Sequence, residues 1–266
     1  MLALQTLTPK EFFKPPYFKN QIQEDEFATF KATLKDYAQT LQQSLQNKST
    51  SERSLATNEL KDFFSALGFQ ARAEQENAGK KSSAIDLALL KDERVEVIIE
   101  SKLPTSKEML ASDNVVCNSL CEVILYYFRE RKVKNNPHIK HIIITDFTKF
   151  YIFKSVLFEK LFYENKVILA QCQSLLDSTN ELITNQEKLY KELKNVLDSM
   201  GGSLECFCID LQTLQFDDYQ SLKPVFKALH RDFLLDEFNP NDANILNERF
   251  YDELLYILGL SEVKVG

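Results

Sequence analysis

The chain has 266 residues, of which 44% are hydrophobic and 27% charged, a composition typical of a soluble globular protein. With only 6 glycines and 7 prolines, it is neither collagen-like nor of low complexity. The net charge of -7 argues against a freestanding nucleic-acid binder held mainly by its global field, but it leaves room for a local DNA-contacting face.

The sequence shows no signal for export or for membrane insertion. Residues 1–10 lack a charged head followed by an apolar block, and no apolar run approaches the roughly 18 residues of a membrane span. The five cysteines are scattered and lack the spacing of a zinc site, so we expect reduced thiols. We therefore predict a cytoplasmic protein with no membrane partner.

Hydrophobic periodicity predicts the elements in chain order. Helices are predicted over 21–46 and over 114–132. Between them, a helix is predicted to begin at a capping box formed by Ser49 and Glu52 and to end at Gly68. Strands are predicted over 69–73, 83–91, 95–102, 141–145 and 150–153. After residue 155 the chain is predicted to be mostly helical, with one strand over 204–209.

The order of these elements predicts the fold class. Strand, strand, helix, strand, strand indicates an α/β (α+β) fold with a mixed central sheet flanked by helices. The remainder is expected to form a mostly helical C-terminal extension. We predict an N-terminal helical segment over 1–50, a core over 51–163 and a mainly helical connector over 164–266.

The register of the first hairpin follows from its apolar faces, because side chains alternate along a strand. The residues that share these faces are Ile85, Leu87 and Leu89 in one strand and Val95, Val97 and Ile99 in the other. The faces come together when Leu87 pairs with Ile99, which leaves a three-residue loop over 92–94. This pairing predicts that Asp86 lies directly opposite Glu100.

A function can be argued from Asp86, Glu100 and Lys102. Of six Glu-x-Lys triplets in the chain, only Glu100-Ser101-Lys102 ends an apolar strand. Two opposed carboxylates, about 4.5–5.5 Å apart at Cβ, repel each other unless a cation compensates. Mg²⁺ prefers such oxygen ligands, and Lys102 on the same face would orient a water or stabilise charge on phosphorus. The pattern predicts phosphodiester hydrolysis, with a solvated edge pair as the alternative.

This arrangement resembles the PD-(D/E)XK nuclease superfamily, which has the restriction-endonuclease-like fold. Longer stretches resemble the N-terminal region of type IIG restriction–modification enzymes, and they cover 122–131, 139–146, 158–162 and 246–260. The resemblance maps the family's metal ligands onto Asp86 and Glu100 and its catalytic residues onto these two and Lys102. Ile85 stands where the superfamily pattern has Pro.

The resemblance also implies cofactors and partners. It implies Mg²⁺, with Mn²⁺ as a substitute, and double-stranded DNA as the substrate. The methyltransferase and target-recognition domains of that family have no counterpart here, so AdoMet would act only through a domain or subunit outside this chain. We expect a fragment of such an enzyme or a separately encoded nuclease subunit. Double-strand cleavage would need two nuclease domains to meet.

Sites of this superfamily often include a further acidic residue from the preceding helix. Glu59 is the catalytic candidate, because Glu52 is interpreted as the capping residue. Glu122 precedes Tyr126 by one helical turn, where some relatives carry a Gln and a Tyr near the site. The alternative for both positions is an ordinary amphipathic helix.

Basic residues flank the predicted site and are candidates for DNA contact. They are Lys80, Lys81, Arg129, Arg131, Lys132 and Lys134. Lys80 and Lys81 precede the Asp86 strand, and the others lie at or just after the C-terminal end of the helix over 114–132. Contact with phosphates would weaken with salt. The alternative for the second group is a solvated helix end, where cations complement the helix dipole.

Three functions follow from these observations and stay open at this point. The leading hypothesis is the Mg²⁺-dependent endodeoxyribonuclease module of a type IIG restriction–modification enzyme. The alternatives are a non-catalytic docking or connector module and a repair-type nuclease of the same superfamily. Three polar groups on one face beside an apolar strand favour an enzyme, because a docking module has no need of them.

Overall fold

A seven-stranded mixed sheet forms the centre of the protein. The structure is a computed structural model and describes residues 2–47, 49–76, 84–177 and 186–238. The strands are β1 Leu2–Thr6, β2 Gln70–Glu76, β3 Ala84–Lys91, β4 Arg94–Ser101, β5 His141–Thr145, β6 Lys149–Lys154 and β7 Gly202–Asp210. Their order across the sheet is β1-β7-β6-β5-β4-β3-β2. The pairs β1/β7 and β4/β5 are parallel, and the other pairs are antiparallel.

Helices cover both faces of this sheet. They are α1 Pro9–Phe12, α2 Pro15–Lys19, α3 Glu24–Gln46, α4 Glu52–Leu55, α5 Lys61–Ala66, α6 Asn118–Lys132, α7 Ser155–Phe158, α8 Lys166–Asp177, α9 Gln186–Ser199, α10 Tyr219–Leu229 and α11 Arg231–Leu234. Two π-helical turns lie at Ala56–Leu60 and Glu159–Tyr163. The crossover from β4 to the parallel β5 runs through α6. The predicted mixed α/β class is therefore confirmed.

Alternation along the central strands divides the core into two layers. Ile98 packs with α6, α8 and α9 on one face, whereas the next residue, Ile99, packs with α3, α5 and α10 on the other. Both side chains are fully buried. Each contributes about 1.5–3 kcal/mol of apolar burial, so strands buried on both faces hold the centre of the molecule.

Strands from all three predicted segments build the same sheet. Segment 1–50 supplies β1 and segment 164–266 supplies β7, which lies between β1 and β6. The strand predicted over 204–209 is confirmed and extends over Gly202–Asp210. Part of the predicted connector therefore completes the core sheet, while its residues 239–266 lie outside the described residues.

The register predicted for the β3–β4 hairpin is confirmed, but the predicted loop is wrong. Leu87 pairs with Ile99 and Leu89 with Val97. Lys91 pairs with Arg94, so the turn consists of two residues, Asp92 and Glu93, with φ of 50° and 61°. Such left-handed turn residues match the twist of the strands. A bulge at Glu96 takes up the extra residue and keeps the apolar faces aligned.

The predicted capping box at Ser49 is also wrong. The Ser49 hydroxyl donates to the Asn47 side chain, and Ser51 is the N-cap that accepts from the Ser54 N–H. Helix α4 begins at Glu52, and the π-helical turn joins it to α5. Glu52 is therefore available for contacts other than capping.

The length and apolar character of the helices bear on membrane insertion. Within the part of the chain that the structure describes, no helix combines the length and apolar character needed to cross a bilayer. The five cysteines are all free thiols.

Candidate active site

Four elements bring charged side chains together at the C-terminal end of β4. Asp86 lies on β3, Glu100 on β4, Glu52 on α4 and Glu122 on α6, and they surround the ammonium group of Lys102. Lys102 Nζ lies 2.5 Å from Glu100 Oε1, 2.7 Å from Glu122 Oε2 and 3.5 Å from Glu52 Oε1. The three residues predicted from the strand pattern therefore share one cluster, and two further carboxylates join them.

Asp86 lies at an interruption of the sheet ladder and is held by Ser101. Pairing between β2 and β3 skips Asp86, because Glu74 opposite it has a left-handed φ of 50°. Asp86 Oδ2 accepts from the Ser101 N–H at 2.9 Å and from the Ser101 hydroxyl at 2.7 Å. Ser101, the middle residue of the Glu-x-Lys triplet, thus ties Asp86 to the end of β4.

Lys102 and Glu52 are fixed by backbone contacts just beyond β4. The Lys102 N–H donates to Thr145 O at the end of β5, at 2.9 Å. Glu52 Oε2 accepts the Leu103 N–H at 3.1 Å. The first turn of α4 therefore reaches the site across 51 positions of sequence.

The centre of the site is buried although it contains several ionisable side chains. The side chains of Glu100, Lys102 and Glu122 are 1%, 7% and 15% exposed. Glu100 Oε2 is buried and receives no hydrogen bond from any described residue. The carboxyl group next to it is that of Glu122, which has no proton to donate when both groups are ionised. This pair needs either a shared proton or a second cation.

The pKa values express the same imbalance. Burial, together with the charges of Asp86 and Glu122, raises the pKa of Glu100 well above its usual range. Burial also raises the pKa of Asp86 and of Glu52. For Glu122 burial acts in the same direction, but the hydrogen bond from Glu100 and the Lys102 charge lower its pKa. Without a metal, the pair therefore shares a proton that is held mainly by Glu100, and a cation bound at Glu100 would displace it.

The residues fit a divalent cation that keeps several non-protein ligands. Asp86 and Glu100 offer hard carboxylate oxygens, and Glu100 Oε2 has a free acceptor position. Among the described residues, no group of three or more His, Cys, Asp or Glu side chains has the arrangement of a metal centre. Mg²⁺ is often bound by one or two carboxylates plus water and phosphate, which matches so incomplete a ligand set.

Glu59, the predicted fourth catalytic residue, lies elsewhere. Its Oε1 accepts the Ser44 hydroxyl of α3 at 2.5 Å, whereas the contacts described above for Asp86, Glu100 and Lys102 are with other residues. The π-helical turn Ala56–Leu60 widens the helix and changes its phase, which directs Glu59 toward α3. Glu52, which we interpreted as a cap, takes the position expected for Glu59.

The basic residues predicted to contact DNA fall into different settings. Lys80 and Lys81 lie outside the described residues. Arg131 pairs with Glu159 at 2.7 Å, and Lys134 pairs with Glu130 at 2.8 Å.

The other two predicted DNA contacts also differ from each other. Arg129 is half-buried, and burial lowers its pKa. Lys132 is exposed at the end of α6. Arg131 and Lys134 thus form ion pairs within the protein, whereas the Lys132 side chain is exposed to solvent.

Sequence reasoning missed one contact of the site altogether. Tyr190, on α9, donates its hydroxyl to Glu122 Oε1 at 3.3 Å. Tyr190 lies 68 positions after Glu122 in the sequence, and no residue pattern around it indicates this contact. Helix periodicity places it only on the buried face with Leu193 and Leu197.

The fold and the site together define a mixed α/β protein with a buried carboxylate–lysine cluster at the C-terminal end of a central strand. The chain belongs to the family described as "Domain of unknown function (DUF7149)", whose model matches residues 7–242. The matched range includes every residue of the cluster. Neither the curated proteins nor the solved structures gave a match.

Proposed function

We propose that this protein is a Mg²⁺-dependent endodeoxyribonuclease module that hydrolyses DNA phosphodiester bonds. The observation that carries the proposal is the convergence of Asp86, Glu100 and Lys102 beside a buried carboxylate oxygen that lacks a donor. A mixed sheet with a site at the end of a central strand supports it. So does the strand pattern of the Glu-x-Lys triplet.

Each side chain has a defined task in this proposal. Asp86 and Glu100 hold the metal, which when bound acidifies a water and neutralises phosphate charge. Ser101 orients Asp86 through its N–H and hydroxyl. Lys102 orients the attacking water or stabilises the charge that develops on phosphorus. Release of Lys102 from Glu100 frees its ammonium group for that task.

The resemblance to type IIG restriction–modification enzymes supplies the biological setting of the proposal. Double-stranded DNA is then the substrate, and Mn²⁺ substitutes for Mg²⁺. Methyltransferase and target-recognition domains, in the same enzyme or in a partner subunit, provide AdoMet dependence and sequence recognition. We place the protein in the cytoplasm on the same grounds.

A non-catalytic docking module is the second candidate, and one observation favours it. Lys102 already contacts three carboxylates, so the cluster can exist as a buried ion-pair network without metal. A repair-type nuclease would share the site and differ in its products. Cleavage at defined internal positions separates an endonuclease from an end-directed enzyme.

The test is nicking of supercoiled plasmid at low salt with Mg²⁺ or Mn²⁺. We expect Asp86→Asn and Lys102→Met to lose at least about a hundredfold in rate, because each removes a group that stabilises the reacting phosphate. Glu159→Gln is the matched control, since it changes a partly buried carboxylate away from the site. Nicking that survives in both site variants contradicts the proposal.

Binding of Mn²⁺ provides a readout that does not need cleavage. At a hundred times its dissociation constant, a metal bound only by the folded state stabilises it by about 2.7 kcal/mol. We expect this stabilisation in the wild type and in Glu159→Gln, but not in Asp86→Asn. Absence of both nicking and Mn²⁺ stabilisation in the wild type favours the docking module.

A further inference from the structure

Helix α9 contributes a side chain to the cluster, although it lies outside the segment in which the site was predicted. Tyr190 OH donates to Glu122 Oε1 at 3.3 Å, and Glu122 Oε2 lies 2.7 Å from Lys102 Nζ. Lys102 Nζ in turn lies 2.5 Å from Glu100 Oε1. A continuous chain of polar contacts therefore runs from α9 to Glu100, the metal ligand of the proposed function.

Packing against neighbouring elements fixes the place of α9 in the fold. Leu193 and Leu197, three and seven positions after Tyr190, are fully buried in the layer that contains α6. The helix packs against α6, α8 and β1. Because residues at this spacing share one helix face, the same packing that buries the leucines aims Tyr190 at α6.

Glu122 needs such a support. Its carboxylate faces that of Glu100, and like charges in a buried setting repel each other. Lys102 attracts Glu122 from one side, and the Tyr190 hydroxyl fixes its other oxygen. Without that hydrogen bond, the Oε1 side of the Glu122 carboxylate loses a restraint, and the position of Glu122 beside Glu100 and Lys102 is less fixed.

We propose that Tyr190 is a positioning residue of the metal site, acting through Glu122, and that α9 thereby couples the region after the predicted core to metal binding. This inference rests on the proposed function and adds a residue to it. Tyr190 touches neither metal nor DNA in the proposal. Its effect is to hold Glu122 where it shapes the surroundings of Glu100 and Lys102.

The experiment measures Mn²⁺ affinity in the full chain carrying Tyr190→Phe, which keeps the ring and removes only the hydroxyl. Tyr163→Phe is the matched control, because Tyr163 is a partly buried tyrosine packed on the same core layer and its ring contacts lie at Tyr127 and Phe128. We expect Tyr190→Phe to weaken Mn²⁺ binding about tenfold, because the loss of a group that orients the surroundings of a metal ligand typically lowers the metal affinity by at least this much. Tyr163→Phe should change it by less than about twofold.

A double-mutant cycle distinguishes positioning from general loosening of the fold. In a Glu122→Met background, which has no oxygen to accept the Tyr190 hydroxyl, Tyr190→Phe should change Mn²⁺ affinity by less than about twofold. The zero-field splitting of bound Mn²⁺, measured by EPR, should differ between wild type and Tyr190→Phe and be unchanged in Tyr163→Phe. Urea unfolding of the two Phe variants shows whether both fold equally well.

The outcomes separate the two proposals. Wild type that binds Mn²⁺ and nicks DNA, with Tyr190→Phe indistinguishable from it, overturns this inference and leaves the proposed function standing. An equal loss of affinity in both backgrounds also overturns it, because the effect then does not pass through Glu122. Wild type that neither binds Mn²⁺ nor nicks DNA overturns the proposed function and this inference together.

Discussion

Helix α6 has a charged cluster at each end, and the two clusters differ in how their charges are balanced. At the first end, Glu122 joins three other carboxylates around a single ammonium group, that of Lys102. At the other end, Arg131 forms two contacts with Glu159, at 2.7 and 3.1 Å. Lys134 there pairs with Glu130. One end carries excess negative charge, and the other is compensated pair by pair.

This difference indicates which cluster stabilises the fold and which one destabilises it. Buried carboxylates without enough cations destabilise a protein, so an arrangement that keeps them is a candidate for function. Matched pairs such as Arg131 with Glu159 need no further explanation than packing at a helix end. Acidic and basic side chains meet at both ends, but the balance of charge and the burial of the groups differ.

The largest expected effect follows from removing the central cation of each cluster. Lys102→Met leaves buried carboxylates without their ammonium group and should lower the free energy of unfolding by about 3–5 kcal/mol. Arg131→Met should lower it by about 1 kcal/mol, because Glu159 is 28% exposed and keeps the Tyr127 hydroxyl. Urea unfolding at neutral pH measures both. Equal losses would show that the two ends do not differ in charge balance.

The second comparison is the pH dependence of Glu100→Gln against Glu159→Gln. The raised pKa of Glu100 means that the folded state keeps a proton which the unfolded state releases, so stability falls as pH rises above about 4.5. For Glu159, burial raises the pKa, but the hydrogen bonds from Arg131 and the Tyr127 hydroxyl lower it by more, so the net shift of the pKa is downward. Its contribution to stability is therefore present above about 4.5 and is lost as pH falls.

The two Gln variants should consequently differ from wild type with opposite signs. At pH 7 we expect Glu100→Gln to be more stable than wild type and Glu159→Gln to be less stable. Both differences should shrink toward low pH, as the wild-type carboxyls become protonated. Urea unfolding between pH 4 and pH 8 tests this, and a Glu100→Gln variant less stable than wild type at pH 7 contradicts it.

The smallest expected effect concerns DNA contact at the basic end of α6. Lys132 is exposed there, whereas Arg131 and Lys134 are paired with carboxylates. If the end of α6 meets phosphates, Lys132→Gln should weaken plasmid binding about twofold at low salt and reduce the salt slope by about 1. Lys10→Gln, at another exposed position, is the control for net charge. Equal effects of the two changes would exclude a local contact.

Much of the central sheet could be predicted from the sequence because its strands are short apolar runs with clear alternation. The predicted pairing of Leu87 with Ile99 depends only on bringing two apolar faces together, and the structure has that pairing. The loop was wrong because a bulge at Glu96 and a two-residue turn give the same facial alignment as a three-residue loop. Apolar alternation does not distinguish these two solutions.

The site was predictable only as far as neighbouring strands determine it. Asp86, Glu100 and Lys102 lie on one hairpin, so their proximity follows from register. Glu52 and Tyr190 reach the cluster through tertiary contacts across 51 and 68 positions, which no local pattern encodes. Strand β1 was missed for the same reason, since its partner β7 lies far along the chain.

The pairing of β1 with β7 has a consequence for how the chain folds during its synthesis. Leu2 is paired with Gly202, and among the strands that the structure describes β1 has only β7 as a neighbour. At about 5–20 residues per second, β1 waits roughly 10–40 s on the ribosome before its partner exists. Throughout that time the hydrogen-bonding edge of β1 is open to other chains, a setting that favours chaperone capture or aggregation. Of the seven strands described, β1 is thus made first and is among the last to be paired.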